Sequence, residues 1–355
     1  MLARHLKLKL YKAQEKQLLE WLWNLTGVYN WTSRTIKLNA ENKKYPSHFD
    51  LQKLTSGHAK KIGVHSQVVQ GVIKQAWNAW DRCFKKTGGQ PRMKGMRDKL
   101  MSIPFPQLVK APKNNRIFIP GIGETRFFKQ DIPEGKIKCG RIIKKASGWY
   151  LVITIDTDPK ITNLKETDSK VGIDTGFHDL AILSDGTKYT NPRELRLGAK
   201  RLAQAQRGKN KKLVSRLQEK QSNRRKDRNH KISLEIIRNH KEIYVTNDNL
   251  KSQSKRFGKS ITEASIGQLR QFLIYKGSSC GRKVVLVDSR RTTMTCSNCD
   301  SLTGPTGLSG LAVRNWVCGV CRTQHERDVN AAQVVLKTGA GIALVSNKEL
   351  NSCLV

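Results

Sequence analysis

The stretch "KVGIDTGFHDLAILSDGTKYT", Lys170 to Thr190, decides the reading of the chain. An apolar run ends in Asp174, a glycine turn follows, and "LAILSDG" supplies a second apolar run closed by a hairpin turn. Beyond it, Pro192 to Ser233 is helical in pattern and densely basic, with "RRKDRNHK" at its heart. "EIYVTNDNL" reads as another strand, ending in Asp248, and "KVVLVD" follows after a helical interval. A cysteine segment and a last helix, "DVNAAQVVLKTGAGI", opened by Asp328, complete the pattern. Strands and helices alternating in this way predict an α/β sheet domain.

Upstream the pattern differs. "RHLKLKLY" (Arg4 to Tyr11) alternates as a short strand, and Lys12 to about Lys86 is helical. Val68, Val69, Val72, Ile73, Ala76, Trp77, Trp80 and Phe84 form one apolar stripe, with Lys74, Lys85 and Lys86 flanking it. "KKTGGQPRMKG" breaks the helix, and short strand-like runs then extend from Ile103 to about Asp158. One strand before the helices and several after predict a small β-barrel with a helical domain inserted. "TDPKITNLKETDSK" links this half to the next.

The 355 residues carry 66 Lys+Arg against 28 Asp+Glu, a formal charge of +38. That excess predicts a polyanionic partner, nucleic acid before an acidic membrane surface. No run of eighteen apolar residues is present and "MLARHLKLKL" lacks the apolar core of a signal peptide, so a cytoplasmic protein without a membrane partner is expected. Cys83, Cys139, Cys280 and Cys353 are scattered, as in a reducing compartment. Cys296, Cys299, Cys318 and Cys321 form two C-x2-C pairs eighteen residues apart. Two such knuckles converge on one tetrahedral Zn²⁺, and four thiolates leave no open position, so the ion would be structural. Two chance pairs or a redox dithiol are the competing explanations.

Asp174, Asp248 and Asp328 stand at two strand ends and a helix start. Converging there, they would hold a pair of Mg²⁺ ions, hard cations that prefer carboxylate oxygens, for phosphodiester hydrolysis. Taken singly, each is equally an ordinary turn or cap residue. The motifs "VGIDTGFHDLAILSDG", "IYVTNDNLK", "IGQLRQFLIYKG", the C-x2-C pairs and "ERDVNAAQVVL" occur in an order that resembles the TnpB (OrfB) family of insertion-sequence proteins, relatives of the type V CRISPR effectors. The first half is similar more loosely, through "HLKLKLYKAQEKQLLEWLWNLTGVYNW" and "GQPRMKG".

The resemblance implies an RNase-H-like (RuvC-type) nuclease domain at 168–290 and 325–345, split by a zinc-ribbon insertion at 291–324. It implies a β-barrel "wedge" domain at 1–11 and 89–160, interrupted by a helical recognition domain at 12–88, and a C-terminal tail at 346–355. Its implied activity is guide-RNA-directed cleavage of double-stranded DNA beside a short transposon-adjacent motif. The guide is transcribed from the transposon end, and Asp174, Asp248 and Asp328 are the three acids in order. Asp248 departs from the family's usual Glu, and its carboxylate falls more than about one ångström short where catalytic geometry tolerates about 0.5 Å. A guided DNA-binding repressor with a disabled site is therefore the alternative. Met93, where an aromatic is usual, and Asp300, where Gly is usual, are lesser departures.

Arg224, Arg225, Lys226, Arg228 and Lys231 are expected along a guide–target heteroduplex, recognised by its backbone and A-form shape. Arg92 and Lys94 of "PRMKG" are expected near the motif-bearing duplex, and Arg327 is a candidate for stabilising charge on the scissile phosphate. His230 reads as structural or as a phosphate donor. A DNA-rejoining transposase, and an ATPase of the kind that shares the "GIDTG" turn, are two further readings. The second would need another glycine-rich phosphate loop.

Overall fold

The computed structural model describes residues 2–95, 99–107, 112–157, 161, 164–307 and 309–341. The expected tail at 346–355, residues 342–345 of the expected nuclease domain and Cys353 lie outside the described residues. The chain divides into two compact units, Met1–Asp158 and Pro159–Val355. Among the described residues, no helix is long and apolar enough to cross a membrane.

In the first unit, strand β1 (Leu2–Lys9) leads into helix α1 (Lys12–Glu41). Gln14 starts that helix by accepting the Tyr11 N–H through its side chain (3.1 Å). Leu18, Trp21, Leu22, Leu25, Tyr29 and Ile36 recur at helical spacing and are buried. The remaining helical region is three separate helices, α2 (His48–Leu54), α3 (His58–Lys61) and α4 (Ser66–Phe84). The expected stripe on α4 is buried from Val68 to Trp80. Trp77 is only partly covered and donates its indole N–H to the Pro46 carbonyl (3.0 Å), while Phe84 is exposed.

Five strands follow: β2 (Ser102–Phe105), β3 (Arg116–Ile119), β4 (Gly123–Phe127), β5 (Lys136–Lys145) and β6 (Gly148–Asp156). They join β1 in an antiparallel sheet of order β2-β5-β6-β1-β4-β3. β1 connects its two halves, pairing with β6 from Leu2 to Lys7 and with β4 at Leu8 and Lys9. The edge strands β2 and β3 do not pair with each other, so the expected closed barrel is an open half-barrel. Along β6, Trp149, Leu151, Ile153 and Ile155 face the core in the alternation a half-buried strand requires.

The second unit is built on strands β7 (Lys170–Asp174), β8 (Asp179–Leu183) and β9 (Lys188–Thr190). Helices α5 (Glu194–Leu197), α6 (Ala199–Arg207) and α7 (Lys211–Asn239) come next, then strand β10 (Glu242–Thr246). α8 (Leu250–Ala264), α9 (Ile266–Ser279) and β11 (Lys283–Val287) complete the sheet, whose order is β11-β10-β7-β8-β9. β10 runs parallel to both β7 and β11, while β8 runs antiparallel to both of its neighbours, β7 and β9. The cysteine segment forms a hairpin of β12 (Asn315–Val317) and β13 (Gln324–Glu326), and α10 (Arg327–Gly339) returns to pack on the sheet.

Candidate active site and cysteine cluster

Gly172, in the middle of β7, explains how α10 reaches the sheet. A Cβ there would sit 2.0 Å from the Ala332 carbonyl oxygen and 2.6 Å from the Leu336 nitrogen, both on α10. With glycine the helix lies directly against the strand, and its first turn carries Asp328 to the end where Asp174 stands. Asp248 does not end β10 as expected but lies two residues beyond it. The loop is fixed by the Asn247 N–H donating to the Val287 carbonyl (2.7 Å) and by Asn249 capping α8 through the Ser252 N–H (3.1 Å). Asp174, Asp248 and Asp328 thus line one cavity of about 540 Å³.

Their surroundings differ. Burial pushes the Asp174 carboxyl up to about 7, and the charges of Asp328 and Asp248 push the same way, against Arg327 and the Thr175 N–H. Asp248 is held by Arg270 of α9, which donates Nη2 to its Oδ2 (2.7 Å), Nη1 to its backbone carbonyl (3.2 Å), and Nη2 again to the Thr175 hydroxyl (3.1 Å). Asp328 accepts from Arg314 at Oδ2 (3.0 Å) and from Arg327 Nε at Oδ1 (2.8 Å). Arg327 is 9% exposed and also donates to the Gly310 carbonyl (3.1 Å), so its first task is to hold Asp328 and the loop before it. The three acids thus share one cavity, and burial, together with the charges of Asp328 and Asp248, raises the proton affinity of Asp174.

The four cysteine sulfurs lie within 4.8 Å of one another. Hydroxyls of Ser301 and Thr303 reach the Cys318 sulfur (3.2 Å each), and burial, which alone would raise its pKa, is outweighed so that the thiol comes down to about 5. The Thr323 hydroxyl lowers Cys321 to about 7. Burial instead pushes Cys296 up to about 12, although His325 Nε2 lies 3.0 Å from its sulfur. Convergent sulfurs with hydroxyls and an imidazole turned toward them fit a tetrahedral zinc site with a supporting shell. Asn330 ties this cluster to α10: it accepts the Ser297 N–H (2.8 Å) and donates to the Thr295 carbonyl (2.7 Å).

The expected nucleic-acid contacts separate. Arg224, Lys226 and Lys231 are exposed on α7, with Lys231 paired to Asp227 one turn earlier (2.8 Å). Arg225 is partly covered, and its Nη1 is buried without a partner among the described residues. Arg228 is turned inward instead. It donates to Glu194 (2.8 Å), to Asn191 (3.1 Å) and to the Glu263 and Ala264 carbonyls, and is not presented to a backbone phosphate. His230 stacks on Phe272 (3.9 Å between centroids) and burial pushes it down to about 4, in keeping with a structural role. Arg92 is exposed, and Lys94 is pinned through its backbone, exchanging two hydrogen bonds with the Asn30 side chain (2.8 and 2.9 Å). Arg270 and Arg314 were not legible as site residues. The one available signal was an arginine set between Leu269 and Leu273 on the apolar face of α9.

Two family profiles match in succession: "Probable transposase" (OrfB of IS605) over residues 151–256 and "Cas12f1-like, TNB domain" over residues 267–335. Over these residues the chain is similar to the TnpB (OrfB) family. Among its relatives, a "Putative RNA-guided DNA endonuclease" of Streptomyces pristinaespiralis is 27% identical over 295 residues, covering 78% of this chain and 72% of the relative. "Putative RNA-guided DNA endonuclease InsQ" of Escherichia coli K12 is 28% identical over 308 residues, covering 78% and 75%. Of solved structures, a Cas12f1–sgRNA–target DNA complex aligns with 96% of this chain and all of the other, at 15% identity and a TM-score of 0.38.

Proposed function

We propose that this protein is an RNA-guided DNA endonuclease of a transposon, cutting beside a short adjacent motif with Asp174, Asp248 and Asp328 as its catalytic acids. The convergence of the three acids on one cavity carries the reading. In chain order the five-stranded sheet reads third, second, first, fourth, fifth, with the first three strands antiparallel and the last two parallel to the first. That arrangement supports an RNase-H-like, RuvC-type domain over 168–290 and 325–345. The cysteine cluster at 291–324 is then a zinc-ribbon insertion, the half-barrel a wedge domain over 1–11 and 89–160, and the helices of 12–88 a recognition domain. The names of the relatives, RNA-guided DNA endonucleases, support the same activity; the partners of this reading are a guide RNA and double-stranded target DNA.

Two Mg²⁺ ions, when bound, would activate water and stabilise the leaving oxygen. The chain's own residues prepare the place. Burial and the charges of Asp328 and Asp248 hold Asp174 partly protonated near neutral pH, so positive charge entering the cavity would favour its ionised form. Arg314 and Arg327 fix the Asp328 carboxylate from two sides, and Arg270 fixes Asp248. The shorter Asp248 and its close pairing with Arg270 favour, as a second reading, a guided DNA-binding repressor with a disabled site.

The test is Mg²⁺-dependent cutting of a randomised-flank plasmid library by protein co-expressed with its neighbouring genomic DNA. Cutting beside one motif, absent with Asp174→Ala, supports the endonuclease. Binding without cutting, with cutting restored by Asp248→Glu, supports the repressor.

A further inference from the structure

Four arginines line the acidic cavity, and their partners separate them. Arg196 pairs with Glu263 (3.3 Å), and Arg314 and Arg327 pair with Asp328 (3.0 and 2.7 Å). The guanidinium of Arg193 has no hydrogen-bond or ion-pair partner among the described residues, although the residue is half-buried at the cavity wall. Its backbone is left-handed, φ 54° and ψ 48°, which a residue with a Cβ adopts only at a cost in free energy.

The neighbours hold it there. Asn191 accepts the Arg193 N–H through Oδ1 (3.2 Å) and donates Nδ2 to the Phe177 carbonyl (3.0 Å), tying the turn to the loop that follows Asp174. Arg228 donates to Asn191 Oδ1 (3.1 Å) and to Glu194 (2.8 Å), fixing both sides of Arg193 from α7. A strained residue over-determined by its surroundings, beside an acidic cavity and with its own charge uncommitted, is a positioned side chain awaiting an anion. A polyanionic strand entering past three carboxylates needs a cation to hold it, and a guanidinium suits a phosphodiester because its fork matches two phosphate oxygens.

We propose that Arg193 binds a phosphate of single-stranded DNA at the entrance of this cavity. The inference rests on the endonuclease reading for its ligand, and it adds the contact that holds the strand.

Arg193→Gly tests it cleanly, because glycine removes the guanidinium while relieving the left-handed backbone. The probe is a fluorescein-labelled dT5 oligonucleotide, titrated at several KCl concentrations into the full chain carrying its co-purified RNA. The expected result for Arg193→Gly is binding weakened about tenfold. The slope of log affinity against log salt should become shallower by about 0.7, one single-strand phosphate contact. Arg193→Lys, which keeps the charge and the strained backbone, should retain the wild-type slope. Thermal stability of Arg193→Gly should be no lower than wild type, which separates lost contact from lost fold. An unchanged affinity and slope in Arg193→Gly would overturn the assignment. A wild-type complex that shows the slope difference from Arg193→Gly but never cuts matched DNA in Mg²⁺ would overturn the endonuclease reading and leave the Arg193 contact standing.

Discussion

Asp248 has one methylene fewer than glutamate, and Arg270 grips both its carboxylate and its backbone carbonyl. The pair is largely buried, with side chains 19% and 7% exposed, so removing one partner leaves a charge with little water. Arg270→Gln is expected to cost about 3 kcal/mol in denaturant unfolding, and adding Asp248→Asn should recover most of it. A single variant as stable as its parent would show the pair to be idle. Asp174 makes a prediction of the opposite sign. Its folded pKa of about 7 lies above the ordinary 3.8, so the fold favours the protonated form. The stability this contributes is complete below pH 4 and lost as pH rises through 7. Asp174→Asn, free of that loss, should gain about 2 kcal/mol on wild type between pH 5 and pH 8 in Mg²⁺-free buffer, a value discounted for the partial openness of the site. A stability difference that stays flat across that range would contradict it, and added MgCl₂ should shrink it. The acids themselves were legible in the sequence because Asp174 and Asp248 follow apolar runs and Asp328 opens the last helix. Arg270 and Arg314 were not, since arginine in a helix or loop reads as surface until a buried carboxylate is found opposite. Arg228 was misjudged for the converse reason: among Arg224, Arg225 and Lys226 nothing in the letters says which one turns inward.

At the scale of elements, the cavity depends on α10 lying flush on β7, and the cysteine cluster helps place that helix. Gly172→Val would drive a side chain into the Ala332 carbonyl, so the helix must shift or the strand must bend. A loss of about 3 kcal/mol is expected, with DNA cutting abolished while bound zinc, read by metal analysis, stays near one ion per chain. Normal cutting by that variant would mean that the approach of helix and strand is not what positions Asp328. Zinc removal should act from the other side. Asn330 bonds the backbone at Thr295 and Ser297, so a strong chelator should speed amide exchange across 295–326 and in the first turn of α10. β7 and β10, buried in a separate apolar cluster, should keep their protection; exchange confined to the hairpin would show the two parts to be uncoupled. The cluster was legible from spacing alone, and the structure also explains Asp300, which sits at φ 61° where glycine is usual and is paired by Lys337 (3.3 Å). The open edge of the six-stranded sheet was not legible. Alternation gives the face of each strand but not whether the first and last strands meet.

The whole molecule carries +38, and that one quantity has two consequences with opposite dependence on salt. Exposed lysines and arginines greatly outnumber the acids able to pair with them, so the free chain repels itself and its compact state is weakened. Screening relieves this, because the Debye length shortens from about 10 Å at 0.1 M salt to about 3 Å at 1 M. The thermal midpoint of the RNA-free protein should therefore rise as KCl increases from 50 to 200 mM. RNA binding should move the other way, because each neutralised phosphate releases counterions and added salt opposes their release. With six or more phosphate contacts, affinity for the co-purified RNA should fall by about a thousandfold or more over the same range. Bound RNA supplies the missing negative charge directly, so the midpoint of the complex should exceed that of the free chain most at low salt, and the gap should close as salt increases. Differential scanning fluorimetry with and without RNA, beside a filter-binding titration at each KCl concentration, measures all three trends. A free-chain midpoint insensitive to salt, alongside a steep loss of RNA affinity, would place the basic residues far enough apart that they meet only through the nucleic acid.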